Sequence, residues 1–262
     1  MAGQQTSQDY VIGLEDNAFS SLEHGVEHYL AGSDADLKFT VLHVFHAVEL
    51  LLKARLAKAH PLLILQRPED NPATGYTADY SVVLKRLKNL GVDLTAENVG
   101  NLESLRITRN KIEHYEIQGN RQEIEDYVAR AVKLLDGFVE KELGIRLKGR
   151  IRPELYREME KAVYSYDERQ ERIRQRMAQD LPKKPKEQIG YQKIICSYCG
   201  EEAILVPDTR FNNGMVQCYS CNIKSFYWVC DRCGTPMLSS KSGHERDTDI
   251  CDDCWNGMLT DD

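Results

Sequence analysis

Eight cysteines carry the plainest chemistry in this sequence. They form four CxxC pairs, Cys196/Cys199, Cys218/Cys221, Cys230/Cys233 and Cys251/Cys254, and all lie within the last 67 residues. Two sulfurs at that interval sit on one tight turn and face one cation, and two such turns complete a tetrahedral Zn²⁺ shell. The intervals from Cys199 to Cys218 and from Cys233 to Cys251 enclose 18 and 17 residues, within the range that zinc modules use. The spacing therefore predicts two structural Zn²⁺ ions, with the pairs used in sequence: Cys196, Cys199, Cys218 and Cys221 on one, Cys230, Cys233, Cys251 and Cys254 on the other. An interleaved cross-brace, in which the first pair shares its metal with the third, is the alternative. Disulfides are the competing chemistry and belong to oxidising compartments. The N-terminal MAGQQTSQDY has neither the basic nor the apolar stretch of a secretion signal, so thiolates and a cytoplasmic location are expected.

A second constellation lies upstream in Leu105-Arg-Ile-Thr-Arg-Asn-Lys-Ile-Glu-His-Tyr. On a helix, Arg109 and His114 are five residues apart, roughly 140° around the axis, so only the reach of the arginine brings them to a shared pocket. Asn110 and His114 are four apart and share a face. The bland alternative is an Arg109–Glu113 surface pair with His114 at a helix end, where its charge suits the dipole. Glu49 and Lys53 are one turn apart in the apolar stretch Val48-Glu-Leu-Leu-Leu-Lys-Ala. A carboxylate there is costly to bury without a partner; Arg109 is one candidate, and plain exposure of the Glu49/Lys53 stripe the other. His24/His28 and His43/His46 have metal-compatible spacing, but no carboxylate or cysteine cluster accompanies them, and they read as ordinary surface or core histidines. No phosphate-binding glycine loop, nucleophile elbow or HExxH is present.

The elements that must hold these residues are helical up to about residue 179. Apolar spacing predicts helices over about 15–30, over 34–60 with Ser33 or Asp34 as cap and Pro61 as stop, and over 79–89. Further helices are expected from Thr95 to Ile117, from Asn120 to Leu143 before Gly144, and over about 154–179. Leu181-Pro-Lys-Lys-Pro-Lys reads as a linker. Beyond it, short β-type runs such as Ile204-Leu-Val and Phe226-Tyr-Trp-Val alternate with the cysteine turns. The expected organisation is a mainly α bundle over 1–150, a charged helix and linker over 151–192, and a small zinc-stabilised β-rich module over 193–262. Trp228 and Trp255, beside the cysteines, are expected to cover metal sites in a unit too small for a core of its own.

Arg109-Asn-Lys-Ile-Glu-His114 resembles the R-N-x-x-x-H motif of the HEPN superfamily, helical domains found in many RNases. Phe45-His-Ala-Val-Glu-Leu-Leu-Leu-Lys-Ala resembles that family's second helix, with Glu49 and Lys53 matching a polar pair seen in several branches. The likeness spans about residues 10–145 and leaves out the zinc module. It implies metal-independent RNA cleavage of a toxin, defence or RNA-processing kind. His114 would act as base or acid around 2′-hydroxyl attack, and Arg109 would stabilise the phosphorane. Asn110 would orient His114 or a phosphate oxygen, while Glu49 and Lys53 would position Arg109 or substrate. The resemblance also implies a homodimer with two motif helices across one cleft. Members that have lost catalysis serve as binding modules, so a non-catalytic dimeric adaptor is the alternative.

Charge separates these roles. The net charge of −7 divides into −6 over residues 1–147, +4 over 148–192 and −5 over 193–262. Two Zn²⁺ and eight thiolates would take the last segment to about −9, which repels phosphate. The second unit of the tail, with Asp247, Asp249, Asp252, Asp253, Asp261 and Asp262, therefore suits a basic protein partner, while Arg210, Lys224 and the aromatics around Tyr227 in the first could touch nucleic acid. The basic stretch from Arg169 through Arg172, Arg174 and Arg176 to Lys183, Lys184 and Lys186 could grip an RNA backbone, or simply be a solvated helix. No apolar run approaches the ~18 residues of a membrane span.

Overall fold

A computed structural model describes residues 13–71, 75–92, 94–114, 121–181, 191–207, 214–239, 250–251 and 254. The described residues form α1 (Leu14–Ala31), α2 (Asp34–Ala59), α3 (Tyr80–Asn89), α4 (Ala96–His114), α5 (Arg121–Phe138) and α6 (Pro153–Asp180). Five short strands follow: β1 (Tyr191–Ile194), β2 (Ile204–Pro207), β3 (Gly214–Gln217), β4 (Lys224–Val229) and β5 (Pro236–Ser239). The protein is thus mainly helical with a small antiparallel-sheet region near its C-terminus. None of the described helices is long and apolar enough to cross a membrane.

Helix boundaries follow local chemistry. Ser33 caps α2 in a reciprocal box: its hydroxyl accepts from the Asp36 amide while the Asp36 carboxylate accepts from the Ser33 amide. Thr95 Oγ1 accepts from the Asn98 amide at 3.2 Å and starts α4. α2 ends before Pro61, and Pro61–Ile64 form one 3₁₀ turn. α5 ends in a π-helical turn over Val139–Leu143 that Gly144 closes in the left-handed region.

The chain divides into two compact units. The first lies within Met1–Val99 and Arg109–Val163, the second within Gly100–Thr108 and Tyr164–Asp262, so α4 and α6 each contribute residues to both. In the first unit α2 is the central helix, packed by α1, α3 and α5. Its Val41, Val44, Val48, Leu51, Leu52 and Leu56 are fully buried, as are Leu22 of α1 and Leu135 of α5. Burying each of the leucines contributes about 1.5–3 kcal/mol, and repetition along α2 holds the bundle together.

In the second unit β1 pairs antiparallel with β2, and β3, β4 and β5 form a meander with β4 in the centre. Strand alternation sorts β4 onto two small cores. Tyr227 and Val229 pack with Cys196, Ala203, Ile204, Val206 and Cys218. Phe226 and Trp228 pack with Cys230, Cys251 and Met237. The two cysteine modules therefore share a strand.

Candidate functional site

Among the described residues, three of the four cysteine turns are built the same way. The backbone amides of Gly200, Asn222 and Gly234 donate to the carbonyls of Cys196, Cys218 and Cys230 at 2.9, 3.0 and 2.8 Å. Those three residues are left-handed, with φ of 75°, 61° and 72°, which reverses the chain just past each CxxC. The amides of Tyr198 and Ser220 point at Cys196 Sγ and Cys218 Sγ, each at 3.4 Å. Amides aimed at sulfur favour the thiolate, the form that binds metal.

These turns bring the sulfurs together in two sets, Cys196, Cys199, Cys218, Cys221 and Cys230, Cys233, Cys251, Cys254. The pairing is sequential, not interleaved. Cys196 Sγ lies 3.8 Å from Cys221 Sγ, Cys199 Sγ 3.7 Å from Cys218 Sγ, and Cys233 Sγ 3.7 Å from Cys251 Sγ. A tetrahedron with Zn–S bonds of about 2.3 Å places its sulfurs about 3.8 Å apart, whereas a disulfide needs about 2.05 Å. The eight cysteines are unbridged, and both sets fit a four-thiolate zinc shell. Four thiols this close cannot all ionise without a cation among them. The hydrogen bond from Cys199 holds Cys196 far below the usual thiol range, and the same bond pushes Cys199 far above it.

Helix α6 supports the first module. Ile173 packs on its core, and the buried Tyr166 hydroxyl donates to Glu201 Oε2 at 3.1 Å, two residues beyond Cys199. Gly200 is tightly fitted as well as left-handed. A Cβ there would lie 2.7 Å from Ser104 Cβ, and Ser104 is itself buried. Gly200→Ala is therefore expected to weaken zinc at the first tetrad about tenfold or more, the equivalent of roughly 1–3 kcal/mol of strain, and to leave the second unchanged. Competition with a chromophoric chelator resolves the two sites.

The α4 constellation belongs to the first unit. Arg109 is half-buried; its guanidinium pairs with Glu113, donates to Asn110 Oδ1 at 3.1 Å and stands 5.8 Å from the Phe45 ring centroid. Phe45 in turn contacts Tyr80, with centroids 5.6 Å apart. The buried Tyr127 lies close enough to feel Arg130 and Arg109, although burial dominates and pushes its phenol well above the usual range. His114 ends α4; its side chain lies outside the described residues.

Glu49 and Lys53 pair with each other rather than with Arg109. Lys53 Nζ donates to Glu49 Oε1 at 3.0 Å and to Thr77 Oγ1 at 3.2 Å, and Lys53 is only 8% exposed. An i,i+4 neighbour reaches the carboxylate at little conformational cost, so Arg109, one of the two alternatives for Glu49, is not its partner. Thr77 gave no signal in the sequence, because its approach depends on the Leu65–Thr77 bridge. Glu49→Gln leaves a nearly buried ammonium without its counter-ion and is expected to cost about 1–3 kcal/mol, read from the urea midpoint.

Elsewhere, the basic stretch of α6 is partly engaged: Arg174 pairs with Glu171 at 2.9 Å, and Arg176 reaches the Tyr219 carbonyl at 3.4 Å. Lys183, Lys184, Lys186, Arg210, Trp255 and the six aspartates Asp247, Asp249, Asp252, Asp253, Asp261 and Asp262 lie outside the described residues. Comparison with family models, with curated proteins and with solved structures finds no match for this chain.

Proposed function

We propose that the chain is a HEPN-like, metal-independent endoribonuclease of toxin, defence or RNA-processing type, with the cysteine tetrads holding two structural Zn²⁺ in a targeting or regulatory tail. The observation that carries the reading is Arg109: a half-buried guanidinium above Phe45, flanked by Asn110, on a helix that ends at His114. In this reading His114 takes the proton from a ribose 2′-hydroxyl. The freed oxygen attacks the adjacent phosphorus, the bond to the next 5′-oxygen breaks, and that oxygen takes the proton back from His114, leaving a 2′,3′-cyclic phosphate and a 5′-hydroxyl. Arg109 stabilises the charge that gathers on the phosphorane oxygens. Two copies of α4 facing one another in a homodimer would double these groups in a single cleft.

A second reading has its own support. Arg109 already has a carboxylate partner in Glu113, which a substrate phosphate must displace; a bundle that keeps this pair permanently is a non-catalytic dimeric adaptor whose tail binds a protein. Incubating RNA with wild type, Arg109→Ala and His114→Ala in magnesium-free buffer separates the two. Cleavage lost in both variants supports the nuclease, and cleavage unchanged in both removes it.

A further inference from the structure

Three histidines that look unremarkable along the chain meet where α1 crosses α2. His24 and His28 lie one turn apart on α1, and His43 reaches them from α2. Ring centroids are 4.5 Å apart for His24–His28, 4.7 Å for His24–His43 and 5.7 Å for His28–His43. One nitrogen from each ring lies within 4.8 Å of the other two. Nitrogens on one tetrahedral zinc are about 3.4 Å apart, so small ring rotations close the set.

Two further features organise the cluster for a metal. His28 Nδ1 is 2.8 Å from Asp36 Oδ1, and His24 Nδ1 is 3.2 Å from Glu27 Oε2. A carboxylate on Nδ1 sets the tautomer and turns Nε2 outward as the ligand atom, the usual arrangement around metal-bound histidine. Glu27 is itself held by Arg152 Nη2 at 2.5 Å, and Asp36 by the cap of α2. The second feature is Gly25. A Cβ there would come 2.8 Å from Val44 Cγ2 and 3.3 Å from His43 Cβ. Only glycine lets the two helices approach this closely, and that approach carries His43 to His24. Burial, with His24, His28 and His46 around it, also holds the His43 imidazole below its usual range, in the neutral form that ligates.

We propose that His24, His28 and His43 form a third metal site, a three-nitrogen site for Zn²⁺ or a similar divalent transition ion. Three protein nitrogens leave one position for water, on the side where the His24 side chain is 54% exposed. The harder cations Ca²⁺ and Mg²⁺ prefer oxygen ligands and are not its occupants. The site stands apart from the cysteine tetrads in its ligand chemistry and does not depend on the nuclease reading.

The test titrates Zn²⁺ into the full chain already carrying two zinc ions, against a chromophoric competitor. Wild type is expected to take up a third equivalent. His24→Ala, whose side chain is largely in solvent, and His43→Phe, which keeps a ring between the helices, are each expected to lower that affinity at least tenfold. Co²⁺ added to the zinc-loaded chain should give a d–d spectrum without thiolate charge-transfer bands. Saturation of wild type at two equivalents overturns the site. So does a third equivalent retained by both variants, or charge-transfer bands showing that the added ion sits on sulfur.

Discussion

Removing zinc from this chain is expected to collapse the β-rich part of the second unit while most of the helical signal survives. The small cores show why. The first contains Cys196 and Cys218 among its seven buried residues. In the second, Trp228 is the one buried residue besides Cys230 and Cys251 among the described residues. Without the ions these clusters have too little apolar surface to offset the entropy of ordering the chain. Structural zinc sites contribute about 10–16 kcal/mol in small peptides, far above what two short sheets can supply. Both tryptophans, Trp228 and Trp255, lie in this region, so their emission reports it alone while ellipticity at 222 nm follows the helices. A strong chelator should shift emission to the red and expose eight reactive thiols, with only a small loss of ellipticity. Cys230→Ser with Cys233→Ser should lose one equivalent of zinc and disturb the first module too, because β4 serves both. Unchanged emission after chelation, with zinc shown to be gone, would sink the metal-stabilised picture.

The largest effect on activity is expected at α4. Removing a group that stabilises a developing oxyanion costs on the order of 10²–10³ in rate, and removing a general acid–base on the order of 10²–10⁴. On the proposed nuclease reading, Arg109→Ala and His114→Ala should therefore each reduce RNA cleavage at least a hundredfold with no change in zinc content. Arg109→Lys should recover little, since lysine presents a point charge where the guanidinium offers a planar fork. Glu113→Gln adds discrimination. In the nuclease it frees Arg109 for phosphate and should preserve or raise cleavage; in the adaptor it changes nothing in an RNA assay. RNA left intact by wild type under all these conditions removes the nuclease reading.

Much of this protein was legible in its residues one after another. The helix limits near Ser33, Pro61, Asn89 and Gly144 follow from caps, a proline and a glycine acting on their immediate neighbours. The four CxxC turns are equally local: three are followed by a residue that accepts the left-handed region, Gly200, Asn222 or Gly234. What could not be read was the company these residues keep. Nothing in the strand Lys224–Val229 announced that its two faces serve different cysteine clusters.

The sequence by itself determined the helices and the cysteine turns, because each depends on contacts within about four residues. Tertiary structure alone decided which distant groups meet. It joined the cysteine pairs in sequential tetrads, gave Lys53 to Glu49 and Thr77 rather than leaving Glu49 for Arg109, and gathered His24, His28 and His43 where Gly25 lets α1 press against α2. Those meetings are set by how closely and at what height one helix crosses another. That depends on the packing of many side chains at once and is written in no single stretch of the chain.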